Sequence, residues 1–299
     1  MTVSYSIDGK ICMVTGATSG IGQVAARQLA QRGANVVVVS RNPEKCAATV
    51  EQIKEQTGNQ TVDYLVADLS SQDQIRHLVS QFHQKYDRLD VLLNNAGEMF
   101  LSRHQSQDGI EMTWALNHLN YFMLTNLLLE TLVASGEPGN ASRIVNVASA
   151  AHRGARIEFN DLQGESRYSG MRAYGQSKLA NVLFTYELDR RLRRAGIHDR
   201  VSVNALHPGF VSTNLMGDNS WLVRLGARLI YLFAGKSPEE GAETSVYLAS
   251  SPDVEDVSGK YFVDGQPVRT DSLSYDESIA ERLWELSVEM TGVNAEISP

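Results

Sequence analysis

Cysteine is nearly absent from this sequence, positive charge is outweighed, and no long apolar run occurs. Two cysteines stand in 299 residues, Cys12 in an apolar stretch and Cys46 in a polar one, with no C-x-x-C pair and no histidine cluster beside them. A disulfide or a structural zinc is therefore not expected, and the chain suits a reducing, cytoplasmic compartment. The seven histidines are scattered without a metal-binding grouping, so no metal is expected. Lys and Arg total 27 against 35 Asp and Glu, a net charge of −8. That balance argues against nucleic acid, whose phosphates require a basic face. No run of about 18 apolar residues exists to span a membrane. The opening MTVSYSIDGK also lacks the charged start and apolar stretch of a signal peptide. Repeats, low-complexity tracts and linkers are missing too, which predicts one domain over 1–299, with a cofactor half at about 10–150 and a catalytic and substrate half at about 143–299.

What is present is an alternation of strand-like and helix-like segments, in a composition (42% hydrophobic, 21% charged) that suits a sizeable core. The apolar, β-branched runs at 10–15, 35–40, 61–68, 89–97, 143–149, 201–209 and 260–265 read as about seven strands, too apolar for exposed ones. Helical patterns fall between them, the longest at about 108–134 and 171–194, and an amphipathic segment, DESIAERLWELSVEMTGV, closes the chain. This βαβα order predicts an α/β fold, a doubly wound parallel sheet with helices on both faces.

The first strand runs into VTGATSGIG, with Gly16, Gly20 and Gly22 and the neighbouring Thr18, Ser19 and Ile21, and a helix opens directly after. Glycine serves where the backbone turns sharply, where it approaches a pyrophosphate without a Cβ, and where helix and strand pack closely. The helix N-terminus adds free N–H groups and a partial positive charge. The strand before and the helix after raise this turn above an ordinary glycine-rich loop. Its spacing differs from G-x-G-x-x-G. The second strand ends at Ser40-Arg41, where an NAD enzyme commonly carries an acid for the ribose hydroxyls. Here a guanidinium stands instead, suited to a 2′-phosphate, so NADP(H) is expected over NAD(H). Asp68, followed by Leu69 at the third strand's end, suits either an adenine amino group or a helix N-cap.

Tyr174 and Lys178 are four apart in a strongly helical stretch and share one face. A cation beside a phenol favours the phenolate, so such a tyrosine can give a proton to a forming alkoxide and take it back. Alone, this pair is weak. The strand RIVNVAS, however, delivers Ser149 to a C-terminal strand end, where ligands bind in open α/β sheets, and its hydroxyl can stabilise developing charge on a substrate oxygen.

TGATSGIG, NNAG, Asn117 in WALNHLNYF, Ser149, YGQSK and HPG, in that order over residues 10 to 265, resemble the motif set of the short-chain dehydrogenase/reductase family. The resemblance implies a Rossmann-type fold, a nicotinamide cofactor and a catalytic tetrad of Asn117, Ser149, Tyr174 and Lys178. It implies that Asn117 holds, through its helix backbone, a water in the relay to Lys178, and that Lys178 also binds the nicotinamide ribose. Asn95, Ala96 and Gly97 would line the adenosine ribose side, and Pro208, Gly209, Val211 and Thr213 the nicotinamide amide. HRGARIEFNDLQGE, YGQSKLANVLFTYELDRRL, EEGAETSVYLASSPDVEDVSGKYF and LWELS further resemble the retinol dehydrogenase-like branch. Ser149 and Tyr174 stand 25 positions apart, about twice the commonest family spacing, a feature that branch shares. The membrane anchor that many retinol enzymes carry at the N-terminus is not visible.

The implied activity is hydride transfer between nicotinamide and a carbonyl or alcohol carbon. Substrate choice is expected from 150–170 and 214–236. The apolar stretch 221–233 reads as a lid over a lipophilic substrate, a subunit interface or a membrane-surface patch helped by Arg224, Arg228 and Lys236. A lid predicts a bulky, apolar aldehyde, ketone or alcohol, retinoid-like or other. His207 and His118 read as packed structural residues. The competing function is a catalytically silent NADP(H)-binding sensor or scaffold, although such relatives usually lose the tyrosine or lysine kept here. Association through the two long helices predicts a homodimer or homotetramer.

Overall fold

Seven strands lie parallel in register: β1 (Ile11–Thr15), β2 (Asn35–Ser40), β3 (Val62–Val66), β4 (Val91–Asn94), β5 (Ser142–Val147), β6 (Val201–His207) and β7 (Lys260–Val263). They belong to a computed structural model that describes residues 6–209 and 236–297. The sheet order is β3-β2-β1-β4-β5-β6-β7-β8. The eighth strand, β8 (Gln266–Val268), turns back antiparallel on β7 through Asp264 and Gly265, both at positive φ. That hairpin adds one strand to the seven expected.

Alternate side chains feed two cores, as period-two geometry requires. Ile11, Met13, Val37, Val39 and Leu92 face one side with α3 (Gln72–Lys85), α5 (Asn120–Ser135) and α6 (Gly170–Arg194). Cys12, Val14, Val36, Val38 and Leu93 face the other with α1 (Gly20–Gln31), α2 (Pro43–Thr57) and α7 (Pro238–Ser250). Both cysteines are buried and free.

The expected long helix at 108–134 is composite. Glu111, buried, accepts from the backbone N–H groups of Thr113 and Trp114 and so starts a short α4 (Met112–Trp114). A π-helical turn, Ala115–Leu119, joins it to α5. Single π turns recur at functional sites because they re-aim side chains within a helix; this one carries Asn117 and His118.

Helix α6 is buried on every side from Tyr174 to Leu188. The chain itself covers it. The closing helix α8 (Glu277–Thr291) sets Trp284 edge-on to Phe122 (centroids 5.0 Å), stacked on Phe184 (5.9 Å) and beneath the Arg191 guanidinium (4.3 Å). Ile157, Phe159 and Leu162, from the longer Ser149–Tyr174 interval, pack on a further cluster with Leu179 and Leu183. Between Tyr174 and Leu188, α6 is thus packed against segments of the same chain. Trp284→Ala should cost about 3–5 kcal/mol, the range for a large buried aromatic, measured as a lower denaturant midpoint at unchanged m-value.

Candidate active site

The strand order reverses between β1 and β4, and a cleft of about 900 Å³ opens at the C-terminal strand ends there. Its lining includes Gly16, Thr18, Ser19, Gly20, Ile21, Gly22, Ser40, Arg41, Asp68, Leu69, Asn95, Ala96, Gly97, Ser149, Tyr174, Lys178, Pro208 and Gly209. Residues read from motifs far apart in the sequence therefore share one cavity. Asn117 stands just behind the wall, fully buried. Val211, Thr213 and the segment 221–233 lie outside the described residues.

At one end of the cleft the glycine turn is built for close backbone approach. Gly16 has φ +65°, and a Cβ there would lie 2.9 Å from the α-carbon of Ala96. A Cβ on Gly22 would lie 2.5 Å from the Gly16 carbonyl oxygen and 2.4 Å from the Asn95 amide nitrogen. Ser19, the N-cap of α1, makes no side-chain cap, and the helix has no acid in its first turn. Its first N–H groups and partial positive charge therefore face the cleft unneutralised by side chains of the helix itself. Thr15 Oγ1 receives the N–H groups of Asn95 (2.9 Å) and Ala96 (3.0 Å), fastening the NNAG turn to β1. These features fit a dinucleotide.

At the end of β2, Thr18 Oγ1 and Ser40 Oγ are 3.0 Å apart and Arg41 is exposed beside them. Asn42 caps α2 by accepting from Lys45 N (2.7 Å), which folds the first turn of that helix against the cleft and brings Lys45 into its lining. Sequence reading missed this second cation; the N-cap asparagine ahead of Pro43 was its only signal. Asp68 accepts from the N–H (2.9 Å) and hydroxyl (2.7 Å) of Ser70. Helix α3 starts later, at Gln72, whose N–H goes to Asp108 (2.9 Å), so Asp68 is not its N-cap.

The other end is denser. Tyr174 is 8% exposed and Lys178 3%. Lys178 Nζ donates to the Val147 carbonyl (2.8 Å) and lies 5.7 Å from the Tyr174 ring centroid and 5.6 Å from that of Tyr121. Burial draws its ammonium from the ordinary lysine range down to about 7. Asn117 holds the strand-β4 loop: its Oδ1 accepts from Glu98 N (2.9 Å), and its amide donates to the Glu98 carbonyl (3.0 Å) and Ser177 Oγ (3.1 Å). Its own carbonyl accepts from Asn181 (2.9 Å). A Cβ on Gly97 would come within 3.1 Å of Asn117 Oδ1 and 3.4 Å of Lys178 Nζ, so these two groups converge on one glycine. Ser149 Oγ accepts from Ala151 N (3.2 Å), which leaves its own hydrogen to point elsewhere.

Beyond these lie residues sequence reading did not single out: Met99, Phe100, Met112, Leu116 and Met171, an apolar wall on the cleft. Met171 is 65% exposed and Leu101, nearby, 41%, giving the mouth an apolar rim. Of the segment 150–170, only Ala150 and Ala151 line the cleft; Glu158 and Leu162 are tied to α6 by Gln176 (2.8 and 2.9 Å). His207 also lines the cleft, burial drawing it down to about 4, and its Nδ1 accepts from Gly209 N (3.3 Å). His118 is fully buried, bonded to Ser287 Oγ (3.0 Å) and held down at about 3 by burial. Among the described residues no group of acids, histidines and cysteines suits a metal, and no helix is long and apolar enough to cross a membrane.

Comparison with known proteins agrees with this geometry. The family model described as short chain dehydrogenase matches residues 10–221. Human polyprenol dehydrogenase is 42% identical over 95% of this chain and 86% of its own length, and human retinol dehydrogenase 13 is 42% identical over 97% and 87%. A solved protein from Mycobacterium Paratuberculosis superposes with a TM-score of 0.76 at 33% identity, covering 98% of this chain and 97% of its own. The Pseudomonas aeruginosa RhlG/NADP active-site complex does so with a TM-score of 0.68 at 26% identity, covering 88% and 97%. The chain belongs to the short-chain dehydrogenase/reductase family, oxidoreductases that bind a nicotinamide cofactor.

Proposed function

We propose that this protein is an NADP(H)-dependent oxidoreductase acting on a lipophilic aldehyde, ketone or alcohol, with Asn117, Ser149, Tyr174 and Lys178 as its catalytic group. The observation that carries the reading is the meeting, in one cleft, of the Tyr174–Lys178 pair, Ser149 and the glycine turn. A nicotinamide held along the glycine turn would supply or accept the hydride. The chain's own residues manage the proton. Tyr174 gives it to the nascent alkoxide in reduction and removes it from the alcohol in oxidation. Ser149, its oxygen already accepting from Ala151 N, donates its hydrogen to the substrate oxygen and stabilises charge there. Lys178 supplies the positive charge that eases loss of the phenol's proton, and Asn117 holds the loop carrying Gly97 and Glu98 against it.

The apolar wall of Met99, Phe100, Met112, Leu116 and Met171 supports a lipophilic substrate, methionine's flexible thioether adapting to long or irregular chains. The names of the relatives, a polyprenol and several retinol dehydrogenases, point the same way. Following NADPH oxidation with a graded panel of aldehydes tests it. Turnover should rise with apolar length. Equal rates for small polar and long apolar carbonyls would refute the substrate class, and tight NADPH binding without turnover of any carbonyl would indicate a sensor instead.

Support for an NADP(H) preference comes from Arg41, at the end of β2 where an NAD enzyme commonly carries an acid, and from a second cation, Lys45, in the cleft lining. Loss of a charge-assisted hydrogen bond is worth about 1.5–3 kcal/mol. Arg41→Ala should therefore raise the NADPH dissociation constant roughly ten- to a hundred-fold while leaving NADH nearly unchanged, as read by fluorescence titration. Equal loss for both would remove the argument.

A further inference from the structure

Ser149 is shaped by a residue that does not touch the cleft. The one-turn helix Ala150–His152 begins at Ser149 and ends at His152, whose side chain folds back beneath it. His152 is 1% exposed. Its Nδ1 lies 2.6 Å from the Ser149 carbonyl oxygen, and its backbone N–H donates to the same oxygen at 3.1 Å. A carbonyl only accepts, so Nδ1 carries the proton, and burial, which lowers the ring's pKa, favours the neutral Nδ1–H tautomer over the imidazolium. The imidazole stands edge-to-face on Tyr261 of β7, centroids 4.9 Å apart. Its Nε2 and the Tyr261 hydroxyl are both buried without a hydrogen-bond partner among the described residues. Keeping two such atoms out of water costs free energy that packing alone does not require, since an apolar side chain would fill the space.

We propose that His152 is a positioning residue for Ser149: the Nδ1–H bond fixes the serine's backbone, and with it the direction in which its hydroxyl donates. This rests on the oxidoreductase reading above. With the carbonyl held by two donors from one residue, the turn cannot rotate without breaking both bonds. Ala151 N then stays under Ser149 Oγ, and the hydroxyl hydrogen keeps one direction. Without the imidazole, a single 3.1 Å bond closes the turn. The charged and titratable groups around the ring are Arg153, Asp271, His207 and Tyr261. Asp271, which accepts from Gly154 N (2.8 Å), opposes the Arg153 charge there.

The experiment uses the full chain. An ¹⁵N spectrum of its histidine rings, with His152 assigned by its loss in His152→Asn, should show a protonated Nδ1 and a bare Nε2 at neutral pH. The kinetic arm compares His152→Leu, which removes the donor, with His152→Asn, whose amide stands where Nδ1 does. Misplacing a reacting group by about 1 Å can cost about a hundred-fold. His152→Leu should lower kcat roughly ten- to a hundred-fold with NADPH affinity unchanged, and His152→Asn should recover most of it. In a Ser149→Ala background His152→Leu should cost nothing more, because the group it aligns is gone. An Nε2–H tautomer, no rescue by asparagine, or the same loss with and without Ser149 would each overturn the role of His152 alone. The Nδ1–H tautomer in a chain that turns over no carbonyl would overturn the oxidoreductase reading and this role with it.

Discussion

Tyr174→Phe should lower kcat for carbonyl reduction about a thousand-fold and leave NADPH binding within about threefold of wild type. The size follows from general acid catalysis, worth roughly 10²–10⁴ in rate when one positioned group transfers the proton. The phenylalanine ring fills the same largely buried volume, and Lys178 Nζ keeps an aromatic face 5.7 Å away, so charge and packing survive and the loss reports the hydroxyl alone. Tyr121 provides the internal control. Its ring lies equally close to Nζ, at 5.6 Å, but it is absent from the cleft lining, and its hydroxyl reaches only the Val147 carbonyl, at 3.4 Å. Tyr121→Phe should change kcat by no more than a few-fold. Single-turnover measurements with saturating NADPH separate the two cases. Activity retained within tenfold in Tyr174→Phe would require another acid on the cleft and would overturn the assignment of Tyr174.

Which parts of this arrangement were readable beforehand depends on how local their causes are. The strands were legible because runs such as Asn35–Ser40 are apolar, β-branched and too short for helices, properties that belong to the segment itself. The glycine turn was legible because only glycine tolerates the backbone approach seen at Gly16 and Gly22. Strand β8 was not, since its three residues are exposed, include Pro267 and carry no apolar alternation; the Asp264-Gly265 pair was the available hairpin signal. The π turn was hidden for a different reason. Its residues read as ordinary helix, while the bonds of Asn117 to Glu98, Ser177 and Asn181 are all long-range. The apolar wall was likewise invisible, because Met99, Phe100 and Met171 come from separate segments joined only by the fold, with Gly170 pressed so close to the Phe100 carbonyl that a Cβ there would lie 2.4 Å from it. Lys45 and His152 belong to the same class: each matters through a turn that redirects a side chain.

Lys178 carries the second large effect, and its two consequences should point in opposite directions. Replaced by methionine, which approximates its length without charge, the chain should lose about a thousand-fold or more in turnover, because the phenol loses the cation that eases its ionisation. The cofactor-free protein should nevertheless become more stable. Burial holds the folded-state pKa of Lys178 near 7, well below the unfolded value of 10.5, so the folded state binds fewer protons between those limits. Stability of the wild type therefore rises with pH from about 7 towards 10.5 on account of this group, and below 7 the buried ammonium exacts its full cost, on the order of a few kcal/mol. Methionine removes that cost. It also removes the donor to the Val147 carbonyl, worth about 1–3 kcal/mol if left unmet, but the Tyr121 hydroxyl still reaches that oxygen. The gain of Lys178→Met over wild type should accordingly be largest at pH 6 and shrink as the pH approaches 10, measured by denaturant midpoints across that range. A variant less stable than wild type at pH 6 would mean that the ammonium is no burden to the fold, and that this site was not assembled at the expense of stability.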